Sequence, residues 1–119
     1  MYSAQLLDHF QNPRNAGEIA GADATAEIEN PACGDVLRLT MKAGGGRIAG
    51  ARFKAKGCVA SIACGSALTE LIVGKTLNEA HNLKREDVIT AVGSLPQGSI
   101  HAAQLAVDAL SAALSQIKQ

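Results

Sequence analysis

Tryptophan is absent from this 119-residue chain, and only Tyr2, Phe10 and Phe53 are aromatic. Few stacking side chains disfavour a platform for single-stranded bases. Charge of one sign is also missing: 11 Lys and Arg stand against 11 Asp and Glu. No overall field therefore recruits nucleic acid or an anionic membrane. No apolar run approaches the ~20 residues of a membrane span. Met1-Tyr2-Ser3-Ala4-Gln5 has neither the charged and apolar parts of a signal peptide nor an arginine-rich transit segment. The expectation is a soluble, cytoplasmic protein. Cysteine is sparse and odd in number, at three, which points to thiol or metal chemistry rather than a disulfide framework. A hydrophobic content of 47% over this length suits one small domain, 1–119, that buries its own core.

Tyr2, Leu6, Leu7 and Phe10 recur at helical spacing, and Asn12-Pro13-Arg14-Asn15 stops that short N-terminal helix. Ala24 to Glu29 reads as an edge strand. The strongest local signal is the pair of alternating runs Val36–Lys42 and Arg47–Ala55 around Ala43-Gly44-Gly45-Gly46, an antiparallel hairpin. With the turn near Gly45, paired residue numbers sum to about 91, and Cys33 falls roughly opposite Cys58 at the open end. After Cys58 the pattern turns helical and broadly apolar until Gly74. Thr76-Leu77-Asn78-Glu79 fits a capping box, Lys84 to Val92 suits another short helix, and the stripe Ala102, Leu105, Ala106, Ala109, Leu110, Ala113, Leu114, Ile117 marks a last helix with His101 in its first turn. Strands followed by helices imply an α+β fold, a small antiparallel three-stranded sheet with helices packed on one face.

Cys33, Cys58 and His101 sit at breaks in this pattern. Cys58 lies where strand gives way to helix, so its sulfur meets the partly positive helix N-terminus. Thiolate is the form that binds metal or attacks sulfur. Cys33, between Ala32 and Gly34, belongs to a loop, and Asp35 can add an oxygen from the same space. His101 offers imidazole nitrogen. Two sulfurs, one nitrogen and one oxygen suit zinc, and equally an iron-sulfur cluster whose cysteine ligands are partly replaced. Taken singly, a cysteine is more often a small buried apolar residue, a histidine a capping or surface group, and Asp35 a turn cap. Cys64, six residues after Cys58, lies about 240° around the helix from it and reads as a buried small residue. His9 and His81 read as solvated.

Leu7–Asn15, Asn30-Pro31-Ala32-Cys33-Gly34-Asp35, Ala51–Cys58, Ile100-His101 and Leu105–Leu110 together resemble the iron-sulfur cluster assembly scaffolds of the IscU type, shared with the N-terminal domain of NifU. The resemblance implies a SufE/NifU-like fold and a scaffold or carrier rather than an enzyme. Such a protein receives sulfur as persulfide from a cysteine desulfurase, assembles a labile [2Fe-2S] cluster, and passes it to recipient or carrier proteins. Zn or Fe can occupy the same site. Position by position, the implied ligands are Cys33, Asp35, Cys58 and His101. The family's third cysteine follows its histidine, where this chain has Ala102. Leu95-Pro96-Gln97-Gly98-Ser99 keeps only the first two residues of the family's Leu-Pro-Pro-Val-Lys chaperone motif, so an Hsp70-type chaperone is the weakest of the implied partners. The long insertion of the SufU branch is absent between Cys58 and His101. Two alternatives accompany the scaffold: a zinc-bound sulfur-transfer partner that accepts persulfide on Cys33 or Cys58, and a degenerate paralogue that builds no cluster.

Overall fold

The hairpin expected around the glycine run organises the sheet. In the computed structural model, which describes residues 2–31 and 34–117, β2 (Asp35–Gly44) and β3 (Arg47–Lys56) pair antiparallel across Gly45 and Gly46. Both turn glycines have positive φ, 62° and 75°, the backbone of a primed turn whose twist matches that of the strands. Next to the turn, Gly44 pairs with Arg47 and Ala43 with Ile48. Ala49 is then left over, and from Lys42 with Gly50 onward the paired numbers sum to 92. The expected sum of about 91, give or take a residue, is met on both sides of the bulge, at 91 next to the turn and 92 beyond it. The extra residue flips the parity of β3, so that Ile48 on one side of it and Ala51 and Phe53 on the other all face the core. β1 (Ala24–Asn30) pairs antiparallel with β2, giving the strand order β1-β2-β3. The free edge of β3 is covered at Phe53, whose N–H donates to Asn15 O and whose carbonyl accepts from Gly17 N–H.

Helices α1 (Ala4–Gln11), α2 (Val59–Ile72), α3 (Leu77–His81), α4 (Arg85–Ala91) and α5 (Ile100–Leu114) complete the fold, with a 3-10 turn at Gln97–Ser99. Thr76 and Glu79 form the expected capping box at α3. α2 packs on β2 and β3, and α5 on β1 and β2, so the inward residues Leu37, Leu39 and Met41 of the central strand are sealed beneath two helices. α2 is buried on nearly every side, which explains its Ala-, Gly- and Ser-rich sequence. A Cβ at Gly65 would lie 2.6 Å from the Phe53 ring and 3.0 Å from Leu37 Cδ1. Only a residue without a side chain lets the helix sit that close to the sheet. Among the described residues no helix is long and apolar enough to cross a membrane.

His9 is not solvated as its sequence context suggests, but 6% exposed. Its Nδ1 lies 2.8 Å from Ser66 Oγ, which accepts the Arg14 N–H, also at 2.8 Å. α1 and the Asn12–Asn15 turn are thereby tied to α2. The period of α1 did not show this, because the partner is a serine more than fifty residues away. His81, by contrast, is exposed.

Burial, and then the nearby Arg14 charge, push the His9 pKa below its ordinary 6.5, against the pull of Glu70 and Asp8. The unfolded chain then binds the proton more readily, so stability falls as pH drops below 6.5 towards the folded pKa. The urea midpoint is expected to rise between about pH 5 and about pH 7. His9→Gln, which keeps a hydrogen-bonding side chain but does not titrate, is expected to flatten that rise; an unchanged profile would remove His9 as its source.

Candidate metal centre

Three elements meet at one corner of the sheet: the first residue of β2, the N-terminus of α2 and the first turn of α5. Asp35 shares its strand parity with Leu37, Leu39 and Met41 and so turns towards the interior, where it is 3% exposed. Burial alone pushes its pKa up. Hydrogen bonds from Ser61 Oγ, Cys58 Sγ, Cys58 N–H and His101 outweigh that effect and hold the carboxyl at about 2. Asp35 is thus a buried carboxylate with its negative charge intact.

The contacts divide between its two oxygens. Oδ1 accepts the Cys58 N–H at 3.2 Å. Oδ2 is met by Ser61 Oγ at 2.6 Å, Cys58 Sγ at 3.2 Å and His101 Nε2 at 3.2 Å. Close approach of β3 to this carboxylate requires Gly57, whose φ is 137°. A Cβ there would fall 2.1 Å from Asp35 Oδ1. The register beyond the Ala49 bulge is what brings Gly57 alongside Asp35.

Cys58 is the N-cap of α2, and its sulfur accepts the Ser61 N–H at 3.4 Å. The arrangement is a capping box assembled from two segments. An ordinary box has a carboxylate three residues into the helix that reaches back to the N-cap N–H; here Asp35 of β2 supplies it, and Ser61 occupies that third position.

His101 Nδ1 lies 3.1 Å from Gly98 O. A carbonyl only accepts, so Nδ1 carries a proton, and Nε2 is the atom turned to Asp35. Nε2 meets the carboxylate either as the N–H of an imidazolium or through a lone pair that a cation must bridge. One ligand atom from each of Asp35, Cys58 and His101 lies within 4.8 Å of the others. An oxygen, a sulfur and a nitrogen so grouped, with the histidine tautomer set by a carbonyl on its far side, fit a zinc or iron ion. His101 is the open flank. A groove of about 210 Å³ lined by Ile28, Glu29, Gln104, Leu105 and Asp108 runs up to it.

The structure thus brings together three of the four residues singled out in the sequence. Cys33 lies outside the described residues. Cys64 stays apart from the site, wholly buried within α2, and its thiol is pushed up to about 12 by burial and then by Cys58. Ala102 is 1% exposed and packs into the core. Ser61 and Gly57 were missed by the sequence reading. The legible signal for Ser61 was a hydrogen-bonding residue at the third position after an N-cap.

Comparisons with known proteins give the chain its family. A model of the NifU-like N terminal domain matches residues 1–119. One of two iron-sulfur cluster assembly scaffold proteins named IscU from Archaeoglobus fulgidus is 44% identical over 114 residues, covering 96% of this chain and 74% of that protein. The IscU scaffold protein of Escherichia coli K12 is 40% identical over 121 residues, covering 98% of this chain and 94% of its own. Among solved structures, one titled as a putative iron-sulfur cluster assembly scaffold protein for the SUF system of Fervidobacterium islandicum superposes with a TM-score of 0.79 at 25% identity, covering 95% of this chain and 96% of that one. With the family model matched over residues 1–119 and a relative 44% identical over 96% of the chain, the chain belongs to the NifU-like N-terminal domain family.

Proposed function

We propose that this chain, acting as one domain over residues 1–119 in the cytoplasm, is a scaffold on which an iron-sulfur cluster is assembled as cargo and from which it passes to a recipient protein. The role is that of a carrier and not of an enzyme. The observation that carries the reading is the meeting of a carboxylate, a thiol and an imidazole within 4.8 Å at one corner, in a chain of this family. Asp35, Cys58 and His101 hold the cargo in this reading, with Cys33 as the further sulfur ligand.

Each residue has a distinct task. Cys58 supplies a thiolate at a helix N-terminus, where the Ser61 N–H stabilises negative charge on sulfur. Asp35 supplies a hard oxygen donor that stays ionised at neutral pH. His101 supplies Nε2, held in direction by Gly98 O on its other nitrogen. Sulfur would come from a cysteine desulfurase. A thiolate of this chain attacks the outer sulfur of the enzyme's persulfide, and the enzyme's own thiolate leaves. Because Ala102 carries no sulfur, Cys33 and Cys58 are left for that step. The same thiolates would bind Zn²⁺ when iron is absent.

Anaerobic reconstitution with iron and sulfide is expected to give a coloured protein, and metal analysis of the zinc-loaded form about one ion per chain. Cys58→Ser is expected to lower retained metal about tenfold or more; full retention in that variant would overturn the ligand assignment.

Ala102→Cys is expected to lengthen the life of the reconstituted cluster against a chelator by several-fold, on the order of the gain from one added thiolate ligand. The decay of visible absorbance measures it, and a lifetime equal to that of the parent chain would mean that position 102 has no access to the cargo. Labelled sulfur carried from a desulfurase onto the chain without iron would favour sulfur transfer as its task.

A further inference from the structure

We propose that Ser61 is a positioning residue of this centre, holding Asp35 and Cys58 in the arrangement that receives a metal. The inference rests on the reading of Asp35, Cys58 and His101 as ligands. Ser61 is 2% exposed, and a buried hydroxyl is unfavourable unless it is bonded. Alanine would suit the helix better at this position. The Ser61 hydroxyl instead donates to Asp35 Oδ2 at 2.6 Å and lies 3.3 Å from Cys58 Sγ, while its backbone N–H reaches the same sulfur at 3.4 Å. One residue thus touches two of the three candidate ligands through two different groups.

What happens on metal binding separates Ser61 from the other donors at Asp35. Cys58 Sγ and His101 Nε2 each contact Oδ2 through the atom that would bind metal, so those contacts are exchanged when metal enters. The thiol proton, and with it any proton on His101 Nε2, leaves to solvent. Two donors remain: Ser61 Oγ–H on Oδ2 and Cys58 N–H on Oδ1. They sit on opposite oxygens and fix the plane of the carboxylate. Without the Ser61 hydroxyl one anchor is lost, and the carboxylate turns about its remaining bond.

The test titrates the parent chain, Ser61→Ala, Asp35→Ala and the double variant with Co²⁺ under reducing, oxygen-free conditions. Thiolate-to-metal absorption and competition with a chelator are read out, together with thermal midpoints of the metal-free chains. Ser61→Ala is expected to weaken Co²⁺ binding about tenfold in the parent chain and to have no further effect in the Asp35→Ala background. Equal affinity of Ser61→Ala and the parent, with only a lower metal-free midpoint, would make Ser61 a structural residue and overturn the proposal. An equal loss in both backgrounds would also overturn it, since Ser61 would then not act through Asp35. A parent chain that binds no Co²⁺ would overturn the ligand reading as well.

Discussion

A buried carboxylate sets the terms at one corner of this molecule. Asp35 opens β2 at a position whose parity sends its side chain under the helices, into surroundings where a charge is costly unless it is bonded on both oxygens. Its donors come from two other elements: Cys58 N–H and Ser61 at the start of α2, and His101 at the start of α5. Both helices therefore have to begin at this corner. Their partly positive N-terminal ends then face the negative charge. The carboxylate contributes stability above its ordinary value of 3.8, and this is lost as pH falls through about 2. Gly57 belongs to the same constraint, since no side chain at that residue leaves room for Oδ1.

A helix begun in this way has a poor cap by ordinary standards. Serine, threonine, aspartate or asparagine would bond the third N–H better than a sulfur at 3.4 Å. The weakness is local and is offset by extensive burial of α2, from Ala60 to Ile72. Gly65 lets that helix lie against Phe53 and Leu37, so packing rather than capping holds it in place. A thiol at the N-cap is tolerated because the rest of the helix does not depend on it.

Most of the fold was legible because it rests on local signals. Alternation on either side of the glycine run defined the hairpin, and the Thr76–Glu79 box and the last helix followed from spacing alone. What escaped was information carried by pairs distant in sequence. The Ala49 bulge shifts the register by one residue, and the bulge shows only when two strands are laid side by side. His9 looked solvated because helical period says nothing of Ser66. Ser61 went unmarked because its acceptor, Asp35, lies on a strand. At the site, Asp35, Cys58 and His101 were legible as chemistry-bearing residues at breaks in pattern, while the groups that orient them, Gly98 O and Ser61, carry no such mark.

In the proposed reading, the crowding at Asp35 Oδ2 also bears on how firmly cargo is held. Three groups meet at an oxygen with two lone pairs, and two of those groups approach it through the atoms a metal would need. Two of the contacts at the metal-free site are thus ones that a metal would replace. Part of the free energy of binding at Cys58 and His101 is spent on breaking the contact each makes with Oδ2, and at Cys58 also on releasing the thiol proton. A cage of unprotonated, unpaired ligands would bind more tightly but would be unstable when empty, because buried charges would face one another. In the proposed reading, the Ser61 and Cys58 N–H bonds to Asp35 hold the empty site in shape, and the contacts of Cys58 and His101 with Oδ2, re-formed on release, lower the cost of giving up metal. A carrier needs that balance, because a site whose task is to pass its cargo on must remain folded after the cargo has left.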